Sequence, residues 1–203
     1  MGLVWYYNDK AVIQFNDKTR ASFSRKRYGT LFDKVVNLSL KEDRKIWNYY
    51  EIEDNICKIY YYDQKTNKEI IFLVDKDNQY LVYEKYWQLN CKRYAFSRAN
   101  NTKEYSHHRV IGSNELTDHI DRVKTNNLRS NLRIVSPSIN DLNRSIASNN
   151  TSGVTGVSWS KSEQKWRARM QFEGKEKSKY FDSFEQAVEC RKTWEQEIYS
   201  NLG

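Results

Sequence analysis

Asp118, His119 and Asn140 are the residues of this chain best suited to chemistry. A carboxylate and an amide carbonyl offer hard oxygen atoms, and such donors hold Mg²⁺ or Mn²⁺ in preference to zinc. His119 adds a nitrogen base that changes charge near neutral pH. These are the ingredients of metal-assisted hydrolysis of a phosphodiester. All three histidines of the chain, His107, His108 and His119, fall between residues 97 and 147, so the chemistry concentrates there.

The local pattern predicts how those residues are positioned. ELTDHI reads as a short strand, Asn126 to Ser130 as a loop and LRIV as a second short strand. Ser136-Pro137 then reads as the N-cap and first position of a helix running to about Ala147. Asn140 sits in that helix's first turn, near the backbone amides that favour an anionic phosphate. Adjacent strand residues point to opposite faces, so Asp118 and His119 can share a site only at a strand end or a bulge.

In order and spacing, Asp118-His119, Asn131-Leu132, Asn140 and Asn143-Arg144 resemble the HNH (ββα-metal, or His-Me finger) nucleases, particularly the homing endonucleases. The resemblance implies that His119 is the general base and that Asp118 and Asn140 bind one divalent metal, Mg²⁺ or Mn²⁺. It also implies that Asn131 orients His119 through a hydrogen bond. His108-Arg109 matches the family's His-Arg on the preceding strand, with a phosphate-contacting or structural role, as for Asn143 and Arg144. His107 has no counterpart in the family. Arg122-Val123 stands where a Gly-Asp turn is common, so the loop after the catalytic strand is expected to take another path.

After residue 147 the chain is nearly neutral, and its pattern is three strands and a helix. Trp166, Ala168, Met170 and Phe172 alternate with Arg167, Arg169 and Gln171, and Lys175, Lys177 and Lys179 alternate on the third strand. Ser183 and Gln186 form a capping box ahead of a helix whose apolar stripe includes Ala187, Val188 and Trp194. The expected sheet packs its apolar face on the helix. Its other face presents Arg167, Arg169, Gln171 and the three lysines, to solvent or to a DNA major groove. Gly153, Gly156-Val157, Trp159, Trp166 to Arg169, Gly174 and Tyr180-Phe181 resemble the plant ethylene-response-factor (Apetala-two type) domain. That resemblance implies DNA contacts by the sheet, at Arg167, Arg169, Lys175 and Lys177.

Upstream, AVIQF, CKIYYY, EIIFLV and QYLVYEKYW read as strands. Thr30 to Leu38 reads as an amphipathic helix, with Leu31, Val35 and Leu38 on one face. Arg20, Arg25, Lys26 and Arg27 form a basic cluster, readable as a DNA contact or as a solvated loop. The chain of 203 residues carries 34 basic and 26 acidic residues, for a net charge of +8, which draws it toward polyanions. Its N-terminal text lacks the layout of a signal peptide, and no apolar run approaches a membrane span. Three widely spaced cysteines fit a reducing compartment and offer no zinc knuckle.

The sequence thus predicts an α+β protein in three parts: a β-rich region at 1–96, a ββα-metal nuclease core at 97–147, and at 148–203 a three-stranded antiparallel sheet on one helix. The expected function is that of a cytoplasmic, metal-dependent DNA endonuclease of the homing type. It would act on double-stranded DNA as a monomer, with a dimer through the aromatic-rich first ninety-six residues as the alternative, nicking one strand, without zinc, a membrane or a small-molecule substrate. Two readings stand beside it: a non-catalytic DNA-binding protein built on the same scaffold, and a restriction or defence nuclease.

Overall fold

The computed structural model describes residues 2–99, 102–143, 146 and 150–200. The chain folds as a mixed α/β protein of small antiparallel sheets that ends on a helix. It divides into two compact units, Met1–Ile134 and Val135–Gly203.

The first unit opens with strands β1 (Leu3–Tyr7), β2 (Lys10–Gln14) and β3 (Arg20–Ser24), paired in that order. Ala11, Ile13, Ala21 and Phe23 are buried while Lys10, Arg20 and Ser22 are exposed, the period-two pattern of a sheet with one wet face. The turn α1 (Arg25–Tyr28) leads through a 3₁₀ turn at Gly29–Leu31 into α2 (Phe32–Lys41). Phe32, Val35 and Val36 pack against the sheet together with Leu31, while Leu38, expected on the same face, packs against the core of the second sheet. Gly29 has φ of +50°, and a Cβ there would lie 2.3 Å from the Tyr62 ring, so only glycine fits.

The second sheet is β4 (Tyr50–Glu53), β5 (Ile56–Asp63) and β6 (Lys68–Asp75). Cys57 lies opposite Val74 and Ile59 opposite Phe72, and all four side chains are buried. QYLVYEKYW, expected as a strand, instead forms a helical turn, α3 (Leu81–Glu84), and a loop. Its neighbours Leu81 and Val82 are both fully buried, which the two-sided alternation of a strand on one core does not allow and a helical turn does. Trp87 follows, clamped by Asn48: its N–H donates to Asn48 Oδ1 at 2.7 Å, and Asn48 Nδ2 donates to the Trp87 carbonyl at 2.9 Å.

A third sheet comprises β7 (Gln88–Leu89), β8 (Ala95–Ala99) and β9 (Thr102–Tyr105). β8 runs across residues 96 and 97, where the sequence suggests a boundary. His108-Arg109, expected on a strand, lies in helix α4 (Ser106–Ile111), which Gly112 ends at φ of +72°. The helix follows from packing: Ser106 and His107 are adjacent and both buried. The hairpin β10 (Thr117–His119) and β11 (Leu132–Ile134) completes this unit.

In the second unit, α5 (Pro137–Leu142) starts where expected, with Ser136 Oγ accepting the Ile139 N–H. Among the described residues it ends at Leu142, short of the expected Ala147, which lies outside them together with Arg144. Strands β12 (Val157–Ser160), β13 (Lys165–Phe172) and β14 (Lys175–Phe181) form an antiparallel sheet packed by α6 (Phe184–Ser200). Gly156 has φ of +75°, and a Cβ there would lie 2.4 Å from the Arg169 carbonyl oxygen. No helix among the described residues is long and apolar enough to cross a membrane.

Candidate active site and nucleic-acid interface

β10 carries Asp118 and His119 as its last two residues, and both are buried. They sit at the strand's end, where adjacent residues can turn toward one site, and the Asp118 carboxylate acts electrostatically on the His119 ring. Asp118 stands opposite Arg133 in the β10–β11 register. Arg133 donates to Asp118 Oδ2 from Nε at 3.2 Å and from Nη2 at 2.9 Å. The buried carboxylate is therefore charge-balanced by a strand partner that the sequence reading does not single out. Cross-strand register is the signal that finds it.

His119 Nε2 lies 3.0 Å from Asn127 Oδ1. With the amide oxygen as acceptor, the ring proton sits on Nε2 and the lone pair on Nδ1. Burial is the largest influence on the ring and holds its pKa below the usual histidine value. The Asn127 hydrogen bond and the carboxylates of Asp121 and Asp118 oppose it. His119 is thus a neutral imidazole at pH 7, able to take a proton.

The amide on His119 belongs to Asn127, where the resemblance implied Asn131. Asn131 instead braces the loop: its Nδ2 donates to Asp121 Oδ1 and to the Asn126 carbonyl, each at 2.8 Å, and its Oδ1 accepts the Asp121 N–H at 3.0 Å. Asp121 also accepts from the Val123 N–H and from Asn126 Nδ2. These bonds hold its carboxyl below the usual aspartate value against the opposing effect of burial. Asn127 is placed by the second sheet, because its N–H donates to the Leu73 carbonyl of β6 at 2.9 Å. The turn after His119 needs a left-handed residue, and Arg122 supplies it at φ of +64° without glycine.

His107, which has no counterpart in the resemblance, lies beside His119. Its ring meets His119 edge to face with centroids 5.4 Å apart, and Tyr94 packs on both rings. It is 6% exposed, its Nδ1 has no hydrogen-bond partner, and desolvation pushes its pKa down to about 3. His108 meets it edge to face with centroids 4.5 Å apart, also with a lowered pKa from burial. Arg109 is committed to carboxylates: its Nη2 donates to both oxygens of Glu84 at 2.9 and 2.7 Å, and Glu104 lies 3.5 Å away.

Asn140 is half-buried in α5, its N–H bonded to the Ser136 carbonyl, and Asn143 caps the helix's C-terminus. Asp118 and Asn140 belong to different compact units. Among the described residues, no three His, Cys, Asp or Glu side chains converge as a metal cluster. An Asp with an Asn is a smaller and different donor set.

On the C-terminal sheet the register changes one expectation. Phe172 pairs with Lys175, Met170 with Lys177 and Ala168 with Lys179. Opposed residues share a face, so the three lysines rim the helix-packed face, away from the arginines. The two-residue turn Glu173-Gly174, with both φ values positive, sets this parity. Lys177 accordingly reaches Glu197 of α6 at 3.6 Å. Arg167, Arg169 and Gln171 share the outer face with Ser178, Tyr180 and Glu176. Glu176 bridges Arg167 at 2.8 Å and Arg169 at 2.9 Å.

In the basic cluster of the first unit, Arg25 pairs with Asp33 and lies 4.3 Å over the Phe32 ring. Arg27 lies 5.2 Å over Tyr86, and Lys26 is exposed.

No protein-family model matches the chain, and no solved structure matches it. A stretch of 59 residues, 29% of this chain, is 42% identical to "Protein 3.8" of Escherichia phage T7. The chain spans about half of that relative's length, 49%. Over that stretch the chain is similar to a phage protein.

Proposed function

We propose that this protein is a metal-dependent DNA endonuclease of the HNH type, with Asp118, His119 and Asn140 as its working residues. The observation that carries the reading is the neutral, buried His119, held by Asn127 Oδ1 at the end of the strand that also bears Asp118. A histidine with one nitrogen fixed by an amide oxygen has its other nitrogen oriented for proton transfer.

His119 Nδ1 takes a proton from water as the water oxygen attacks phosphorus. The P–O bond to the 3′ oxygen breaks and the departing oxyanion takes a proton from a solvent water, leaving a 3′-hydroxyl and a 5′-phosphate. Asn127 keeps the Nε2 proton in place and shares the positive charge that the ring acquires. Asp118 offers a hard oxygen donor of the kind that holds Mg²⁺ or Mn²⁺, and Asn140 offers another within its own unit; such an ion would neutralise charge developing on the phosphate. Arg133 balances the Asp118 carboxylate.

The outer face of the C-terminal sheet supports DNA contact by Arg167, Arg169 and Gln171, whose side chains suit guanine and adenine edges. The partial similarity to a phage protein supports a phage setting and, with it, the homing reading. One Asp-His pair per chain supports nicking by a monomer. The Asp118–Arg133 ion pair favours a second reading, in which the carboxylate is structural and the protein binds DNA without cutting it. Incubation of supercoiled plasmid with the protein and Mg²⁺, against the same reaction in EDTA, separates the two. Metal-dependent relaxation supports the nuclease, and binding without relaxation supports the scaffold.

A further inference from the structure

The N-terminal sheet has an outer face that nothing above uses. Its inward residues, among them Ala11, Ile13, Ala21 and Phe23, form the core of that region. The outward positions are every second residue of β1, β2 and β3, with Trp5 opposite Val12 and Val12 opposite Ser22. These positions include Lys10 and Arg20 and no carboxylate. Trp5 is 40% exposed and Tyr7 62%, so large rings stand in water on an edge strand. Arg20 is held in place there: its Nη2 donates to Gln14 Oε1 at 3.2 Å, and its guanidinium lies 5.8 Å from the Trp5 ring centroid.

We propose that this outer face is a second contact surface for duplex DNA, separate from the C-terminal sheet. The inference rests on the nuclease reading for the identity of the polyanion and extends it from Arg20, one of the basic cluster, to the rest of this face. Charge favours DNA over a second copy of the chain, since self-association through this face would oppose cations on a protein already carrying +8. Chemistry favours DNA over an anionic membrane. Gln14 and Ser22 bring hydrogen-bonding groups that can serve phosphates and base edges, whereas entry into a lipid interface would strip their hydration. Shape is compatible too, because a β-ribbon fits the major groove.

The test uses the full-length protein, a duplex and its matched single strand, and vesicles containing phosphatidylserine, all in EDTA so that no cleavage intervenes. The variants are Lys10→Gln/Arg20→Gln and, independently, Tyr7→Ser; these side chains lie outside the core, and circular dichroism checks their folding. The double variant is expected to bind duplex about tenfold or more weakly, with the log–log salt slope reduced by about 2, as for two lost phosphate contacts. Tyr7→Ser is expected to weaken binding with little change in slope, and the footprint to shorten on one side. Wild-type affinity and slope in both variants, while Arg167→Ala weakens binding, would overturn this inference and leave the nuclease reading standing. Loss confined to vesicles or to the single strand would overturn it as well. Failure of the wild-type chain to bind duplex at all would remove both readings.

Discussion

His119 Nε2 and Asn127 Oδ1 are 3.0 Å apart, and Asn127 is itself bonded through its N–H to the Leu73 carbonyl. The orientation of the proposed base is thus set from the second sheet, by a residue fully buried at its position. Asn127→Ala is expected to slow nicking by about 10²-fold, within the usual range for general-base catalysis, with DNA affinity unchanged. Gel assays under single-turnover conditions measure the first, and anisotropy the second.

The same pair sets a pH dependence. Cleavage needs neutral His119, whose pKa is held below the usual histidine value by burial, so the acidic limb of the rate profile lies below pH 6.5. Asn127→Asp adds a carboxylate that stabilises the imidazolium, so the limb is expected to move to higher pH. A limb that stays in place assigns the profile to another group.

Asn131 has a different expected phenotype, because it braces the Asp121 turn and not the base. Loss of its three hydrogen bonds in Asn131→Ala is expected to cost about 2–3 kcal/mol of stability, at roughly 1 kcal/mol each. Urea denaturation reads this directly. The nicking rate of the fraction still folded should fall less than in Asn127→Ala.

What the sequence made legible was periodicity. Alternation in AVIQF, CKIYYY and the Trp166 to Phe172 stretch corresponds to β2, β5 and β13, and the apolar stripes correspond to α2 and α6. Contacts set by register were not legible. The parity of Lys175, Lys177 and Lys179 depends on a two-residue turn, and one residue more or less would have moved them to the arginine face. Asn127 and Asn131 look equivalent on the page, and only the docking of the loop on β6 distinguishes them. His107 read as a spare residue because burial beside His119 arises from tertiary packing.

His107 makes stability pH-dependent. Its folded pKa of about 3 lies below the unfolded value near 6.5, so the unfolded chain binds the extra proton first. Stability is complete above about pH 6.5 and falls as pH drops toward 3, by at most about 1.4 kcal/mol per pH unit for this group. His107→Phe is expected to flatten that part of the curve in urea titrations across this window. An unchanged slope would show that His107 is solvated in solution.

The two faces of the C-terminal sheet should separate under mutation. Arg167→Ala or Arg169→Ala is expected to relax preference at one or two base pairs, by about 1–3 kcal/mol of discrimination each. Lys177→Ala, on the helix side, should leave preference unchanged. Selection from a randomised duplex pool checks both.

The nuclease reading meets its most direct test in a time course of supercoiled plasmid with Mg²⁺, run with wild type and His119→Ala at concentrations that saturate the DNA. The expected result is a nicked circle that precedes any linear product with wild type, no reaction in EDTA, and loss of cleavage in His119→Ala with DNA binding retained. Nicking by His119→Ala at the wild-type rate, or relaxation by wild type that persists in EDTA, would contradict it.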